Sequence, residues 1–106
     1  MPAYIVAMMT INDPETYRQY TDRTPPTLAK YGGIFLTRGE PVETLEGESY
    51  EGRMVLIEFP SAAKAKAWMA DPDYQEAMTF RHAASVMHRL LLQEGGENTA
   101  DPDPKL

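Results

Sequence analysis

The residue with the clearest chemical potential in this sequence is Arg38, a single charge at the end of an apolar strand. It closes the segment that begins Ile34-Phe35-Leu36, and the next residue is Gly39, which has no side chain. A guanidinium in such a position can donate two parallel hydrogen bonds to a carboxylate. Arg38 is therefore the first candidate ligand contact.

Glu58 is the predicted partner of Arg38. A hairpin centred near Ser49 places Arg38 opposite Pro60. The same register places Glu40 opposite Glu58, so that Arg38 and Glu58 are diagonal neighbours on one face. In a functional interpretation, Arg38 holds a carboxylate or enolate oxygen and Glu58 orients the ligand or moves a proton. In a structural interpretation, the two residues form an ion pair at the end of the sheet that stabilises the dimer or the hairpin.

Three further polar residues lie near the start of the last strand. Arg81 is either a second cation at the mouth of a cleft or a favourable charge at the C-terminus of its helix. His88 is a third catalytic candidate, as a proton shuttle or haem contact, although a structural histidine is the simpler interpretation. His82 and His88 lack a third ligand at a recognisable spacing, so we expect no metal site.

Aromatic side chains offer a second kind of contact. Trp68 and Tyr74 could line a pocket for a planar organic ligand, but their helical spacing is more typical of core packing. The sequence contains no Ser-His-Asp set, phosphate-binding loop or dinucleotide fingerprint. We therefore expect no cofactor.

Composition narrows the class of protein. The chain has 106 residues, a formal net charge of −6 and no cysteine. This length fits one domain. The acidic balance and the lack of a basic patch argue against nucleic acid as a partner. The apolar run at the N-terminus is too short to span a membrane, and the absence of cysteine fits a cytoplasmic location.

The chain alternates strand and helix signals. Asp13-Pro14, Pro60-Ser61 and Asp71-Pro72 each combine a capping residue with a proline, which is typical of a helix start. Pro25-Pro26 interrupts the first helix and predicts a kink or a second start capped by Thr24. The predicted elements are a strand over Ala3–Ile11, a helix from Pro14 to Gly32-Gly33, strands from Ile34 to about Leu45 and over Arg53–Phe59, helices after Ser61 and over Pro72–Phe80, and a strand over Ala84–Gln93.

This β-α-β-β-α-β order predicts an α+β fold of the ferredoxin-like type, with an antiparallel four-stranded sheet and both helices on one face. It occupies residues 1–95, and residues 96–106 are predicted to be a flexible acidic tail. Every strand carries apolar residues on both sides, so the face without helices needs a cover. We expect a homodimer that forms through the sheet face.

A set of short segments supports this fold in a second way. Lys30-Tyr31-Gly32-Gly33, Thr37-Arg38-Gly39, Ile57-Glu58-Phe59-Pro60-Ser61 and Asp73-Tyr74-Gln75 occur in an order that resembles domain-of-unknown-function family 1330, within the dimeric α/β-barrel superfamily. The resemblance implies a ferredoxin-like subunit that pairs through its sheet. It implies no established reaction, because the family is defined as a domain of unknown function. Relatives in the wider superfamily include cofactor-independent monooxygenases, haem-degrading enzymes, lactone isomerases and stress-related proteins, so the fold does not fix the function.

Two functions follow as hypotheses. In the first, a cytoplasmic homodimer binds a small anionic organic molecule between sheet and helices, through Arg38, Glu58, Arg81, Trp68 and Tyr74. Proton-transfer or oxygenase chemistry without a cofactor is then the expected type of reaction, with Arg38, Glu58 and His88 as the catalytic candidates. In the second, the protein is a non-catalytic dimeric module whose charge pairs are structural.

Overall fold

A computed structural model describes all residues, 1–106, and contains one four-stranded antiparallel sheet with its helices. The elements along the chain are β1 (Ala3–Ile11), α1 (Pro14–Ala29), β2 (Ile34–Arg38), β3 (Arg53–Phe59), α2 (Ala62–Ala70), α3 (Pro72–Ala84), β4 (Ser85–Glu94) and α4 (Glu97–Ala100). The strands lie in the order β2-β3-β1-β4. This arrangement confirms the predicted ferredoxin-like fold.

The helices begin where the capping signals predicted. The side chain of Asp13 accepts a hydrogen bond from the Thr16 backbone N–H, and the Ser61 side chain accepts one from Lys64. Asp71 caps α3 by accepting from the backbone N–H of Tyr74. These bonds satisfy N–H groups that have no partner inside the helix.

The prolines of α1 do not start a second helix, so the prediction of a cap at Thr24 is wrong. The helix runs through Pro25 and Pro26 without interruption. Side-chain hydroxyls supply hydrogen bonds to backbone carbonyls here: Thr24 Oγ1 donates to the Tyr20 carbonyl, and Thr27 Oγ1 donates to the Thr24 carbonyl, each at 2.7 Å. Neither carbonyl is one that the prolines deprive of a donor, because Pro25 and Pro26 lack the N–H groups that would bond to the Thr21 and Asp22 carbonyls.

The helices cover one face of the sheet, and the main core lies between the helices and that face. Trp68 of α2 and Tyr74 of α3 are each only 1% exposed, and their rings stack at 3.9 Å. Ile5, Ile57 and Phe59 are buried beneath the helices. The other sheet face, called the open face below, carries Tyr4, Val6, Met8, Thr10, Met54, Leu56, Glu58 and Leu91.

The connection between β2 and β3 is longer than predicted. Strand β2 ends at Arg38 instead of continuing to Leu45. Gly39 adopts a positive φ of 78°, outside the β region, and Pro41 has no N–H for a ladder. The predicted register is consequently wrong: Arg38 pairs with Val55, and Pro60 has no partner in β2.

Outside the predicted domain, the tail contains a single turn of helix, α4. The Asn98 side chain exchanges two hydrogen bonds with the Lys105 backbone, at 3.0 and 2.6 Å. All residues from Glu97 onward are exposed. No helix of the chain is both long and apolar enough to cross a bilayer.

Asp71 is the main polar link between the end of α1 and the start of α3. It is only 6% exposed, accepts a 2.7 Å hydrogen bond from the Tyr31 hydroxyl, and lies 3.3 Å from Lys30 Nζ. The hydrogen bond from Tyr31 lowers the pKa of Asp71 below its ordinary value of 3.8, and the Tyr74 N–H and Lys30 act in the same direction.

We therefore predict that Asp71→Ala destabilises the protein in a pH-dependent way. Because the folded-state pKa is lowered, the ionised carboxylate stabilises the fold above its ordinary pKa. That contribution is lost as the pH falls through the lower folded-state value. Urea unfolding from pH 7 to pH 3 should show the difference from wild type shrinking in acid. Asp73→Ala removes an exposed carboxylate from the first turn of α3 and should have a smaller effect. Equal effects of the two substitutions would contradict the conclusion that Asp71 is the main polar link between α1 and α3.

Candidate functional site

A cationic cleft opens between α1 and one end of the sheet. It has a volume of about 440 Å³ and lies where β1 and β2 end and β3 begins. Its lining residues are Ile11, Pro14, Tyr17, Arg18, Thr21, Asp22, Arg38 and Arg53. We call it the arginine cleft.

Arg38 enters the cleft because β2 contains a β-bulge. Phe35 pairs with Ile57, but after a register shift between Phe35 and Thr37, Arg38 pairs with Val55. Side chains alternate between the two faces of a strand, so one extra residue moves Arg38 to the face that the helices cover. Its Cζ lies 4.3 Å from the Phe35 ring centroid, and its Nη2 donates a 3.0 Å hydrogen bond to the Thr21 carbonyl.

Arg53 is the second cation of the cleft. It pairs with Met9 on β1 and therefore lies on the helix-covered face, like Arg38. Its Cζ is 5.5 Å from the Tyr17 ring centroid, while its Nε is buried without a hydrogen-bond partner. A buried donor without an acceptor is costly, so the protein itself does not fully satisfy this guanidinium.

Gly39 makes room for the Arg53 head. A Cβ atom at Gly39 would collide with Nη1 of Arg53. The backbone N–H of Gly39 also donates to the Met54 carbonyl at 3.1 Å, which fixes the chain at this point. The glycine next to Arg38 thus gives the space that the sequence suggested, but a second arginine fills it.

The cations of the cleft are not neutralised by carboxylates. The only ion pairs in the structure join Lys30 to Asp71 and Asp73. Three arginines line the cleft against one aspartate, Asp22. Such a surplus of positive charge attracts anions.

Tyr17 is an unsuitable base for this cleft. Its hydroxyl donates to Met9 Sδ at 3.1 Å. Burial raises the pKa of Tyr17, the neighbouring Tyr20 acts in the same direction, and Arg53 opposes them. The phenol therefore stays protonated near neutral pH, and it contributes an aromatic wall.

Glu58 does not accompany Arg38. It pairs with Tyr4 of β1 and with Ile34 of β2, which places it on the open face. The predicted diagonal pair is wrong for two reasons: Glu58 pairs with Ile34, four residues before Arg38, and the bulge turns Arg38 to the other face. The two residues form neither a joint ligand site nor an ion pair.

Trp68 and Tyr74 belong to the core and do not line the cleft. The indole Nε1 of Trp68 donates to Thr27 Oγ1 at 3.1 Å, and the Tyr74 hydroxyl lies 2.8 Å from that of Tyr20. Their polar atoms are thus satisfied inside the protein, as buried aromatic residues require.

Arg81 is not at the cleft mouth either. It is 4% exposed and its Cζ lies 5.6 Å from the Tyr20 ring centroid. Its Nε has no hydrogen-bond partner. Arg81 is a buried cation between α3 and α1, because its helical position faces the core instead of solvent.

The histidines are remote from the arginine cleft. His88 lies on the last strand with its Nε2 2.6 Å from Thr10 Oγ1, and its ring meets Tyr50 edge-on at 6.3 Å. His82 is exposed on α3. No three histidine, aspartate or glutamate side chains come close enough together to hold a metal ion.

Arg53 is the site residue that sequence reasoning missed. The signal was present, since Arg53 is a charge at the end of the apolar strand RMVLIEF, just as Arg38 is at the end of its own strand. Adjacent antiparallel strands place the end of one beside the start of the next. Thr21 gave no such signal, because its contribution is a backbone carbonyl.

Substitution of Gly39 should separate backbone strain from the loss of space for Arg53. Gly39→Ala and the control Gly47→Ala both force an alanine to a positive φ, so we expect each to lower the unfolding free energy by about 1 kcal/mol. Only Gly39→Ala displaces the flexible Arg53 head, because a Cβ at Gly47 meets nothing within 4 Å. Arginine Nε–Hε NMR signals should shift for Arg53 in Gly39→Ala alone, and an unchanged signal would contradict this packing.

Solved structures with the same fold include proteins of unknown and of known activity. A protein of unknown function from Rhodopseudomonas palustris, RPA0582, is 22% identical with a TM-score of 0.71, over 91% of this chain and 83% of that chain. SnoaB, a cofactor-independent oxygenase from Streptomyces nogalater, is 16% identical with a TM-score of 0.60, over 94% of this chain and 98% of that chain. At these identities the similarity establishes the fold alone.

A third structure adds information on assembly. A dimeric protein of unknown function with a ferredoxin-like fold, from Bacteroides fragilis, is 12% identical with a TM-score of 0.60, over 89% of this chain and 96% of that chain. No curated protein matches the sequence. A family model does match, over residues 2–95, and it covers every strand and the three long helices. The chain therefore belongs to the DUF1330 family, a domain of unknown function.

Proposed function

We propose that the arginine cleft binds a small organic anion, with Arg38 and Arg53 as its main ligands. The observation that carries this proposal is the convergence of two guanidinium groups without a carboxylate partner, one of them with a buried and unbonded Nε. Arginine forms paired, charge-assisted hydrogen bonds with carboxylates, and these are stronger than neutral ones.

The lining of the cleft is mainly polar, but it includes a small apolar wall. Ile11 and Tyr17 form this wall, and the Tyr17 ring packs against the Arg53 guanidinium. A carboxylate with a small planar or apolar body would place its charge on the arginines and its body against these side chains. A volume of about 440 Å³ lies within the usual range for small-molecule sites.

Chemistry without a cofactor is a second candidate function for the same cleft. Two arginines would stabilise an enolate as they would a carboxylate, and Asp22 is a carboxylate in the cleft that could accept a proton. The fold shared with the oxygenase SnoaB supports testing proton transfer and oxygenation. Glu58 and His88 have no part in this proposal, since neither lines the cleft.

Removal of either cleft arginine should weaken anion binding. We expect benzoate, but not its neutral counterpart benzamide, to raise the melting temperature of the wild-type protein. Arg38→Met and Arg53→Met should each weaken benzoate binding about tenfold or more, because each loses charge-assisted hydrogen bonds. Isothermal titration calorimetry measures the affinities.

Arg23→Met is the matched control for this test. Arg23 is on α1, the helix beside the cleft, but its guanidinium lies 4.5 Å from the Phe80 ring and outside the cleft. The control should keep wild-type affinity for benzoate. Absence of benzoate binding to the wild type, or equal losses in all three variants, would reject the proposal in favour of a non-catalytic module.

We also propose that the protein is a homodimer that forms through the open face. Val6, Met8, Met54 and Leu56 are only half-buried there, and Leu91 is 48% exposed. Apolar surface of this kind gains free energy when a second sheet covers it. The dimeric Bacteroides fragilis protein of the same fold supports this assembly.

A charge on the open face should dissociate the dimer. Leu91→Glu would bury a carboxylate in the proposed interface, so we expect a mass close to one chain by light scattering at concentrations where the wild type is dimeric. Leu45→Glu makes the same change at an 88% exposed loop position and should leave the dimer intact. A monomeric wild type would overturn the assembly proposal.

A further inference from the structure

Pro25 and Arg38 meet at one backbone carbonyl, that of Thr21. In an α-helix this carbonyl would accept a hydrogen bond from the N–H of residue 25, four residues later. Pro25 has no N–H, and a proline ring also crowds the carbonyl four residues before it. The Thr21 carbonyl is therefore free to accept the 3.0 Å hydrogen bond from Arg38 Nη2.

This bond completes the restraint of the Arg38 head. The Phe35 ring packs on one face of the guanidinium, and the Thr21 carbonyl accepts from one nitrogen. A free arginine side chain loses considerable rotamer entropy when it binds a ligand. The Arg38 guanidinium, which the Phe35 ring and the Thr21 carbonyl already restrain, has lost that entropy before a ligand binds. Its remaining N–H groups stay available to a ligand in the cleft.

We propose that Pro25 is a positioning residue for the anion site, and that it acts by freeing the Thr21 carbonyl to hold Arg38 in the cleft. Its effect on ligand affinity rests on the proposed function, whereas its effect on Arg38 does not. Pro26 provides the internal comparison. It removes the donor for the Asp22 carbonyl instead, while the Arg38 bond goes to Thr21.

The first experiment needs no ligand. In Pro25→Ala the alanine N–H can bond to the Thr21 carbonyl and draw it back toward the helix axis. We expect the Nε–Hε NMR signal of Arg38 to move toward the position of an unrestrained arginine and to show increased side-chain motion. Pro26→Ala should leave this signal unchanged. An unchanged Arg38 signal in Pro25→Ala, or equal changes in both variants, would overturn the proposal.

The second experiment uses benzoate as the probe. Pro25→Ala should weaken benzoate binding about two- to tenfold, the range expected for immobilising one flexible side chain, and Pro26→Ala should not. In an Arg38→Met background, Pro25→Ala should have no further effect on benzoate affinity or on the Nε–Hε NMR signal of Arg53, because Pro25 acts through Arg38. An additional loss in that background would assign Pro25 a general structural role and reject the proposal.

The two experiments separate this inference from the function itself. If Arg38 is released in Pro25→Ala but benzoate binds no variant, the positioning role stands and the anion-binding proposal fails. If benzoate binds the wild type through Arg38 and Arg53 but Pro25→Ala behaves like Pro26→Ala, the anion site stands and the positioning role fails.

Discussion

The β-bulge in β2 is the constraint on which the arginine cleft depends. A regular strand from Ile34 would point Arg38 toward the open face, where Glu58 lies. The extra residue before Thr37 turns Arg38 to the helix side, beside Arg53 and within reach of α1. The strand then ends, because Gly39 leaves the β region and gives its space to the Arg53 head. A local irregularity thus assembles a cationic site from two strands and a helix.

The charged residues beside the two parts of α1 differ in whether they form ion pairs. At its C-terminal end, Lys30, Tyr31 and Asp71 satisfy one another and join the helix to α3. Beside its middle, Arg38 and Arg53 contact aromatic rings and a carbonyl, and neither forms an ion pair. A charge that is partly withdrawn from water is costly when it is unpaired. The proposed anion site lies at this unpaired part of the helix.

The fold alone does not specify the function of this chain. The same arrangement occurs in a cofactor-independent oxygenase and in proteins of unknown function, at identities of 22% and below. The function must be argued from the groups in the cleft, which are three arginines and one aspartate with no histidine. That composition suits an anion that arrives ionised better than a substrate that histidine must deprotonate.

The sequence by itself determined the order of elements, the helix caps at Asp13, Ser61 and Asp71, and the existence of a charge at the end of β2, because periodicity and capping act over a few neighbouring residues. The tertiary structure alone decided which face each charge occupies. One inserted residue reverses the facing of a strand, and nothing in the local pattern measures that insertion against the partner strand. The sequence therefore identifies Arg38 as a site residue but pairs it with Glu58. In the structure, Arg38 contacts the Phe35 ring because of the bulge. It also contacts the Thr21 carbonyl, which has no backbone donor because residue 25 is proline.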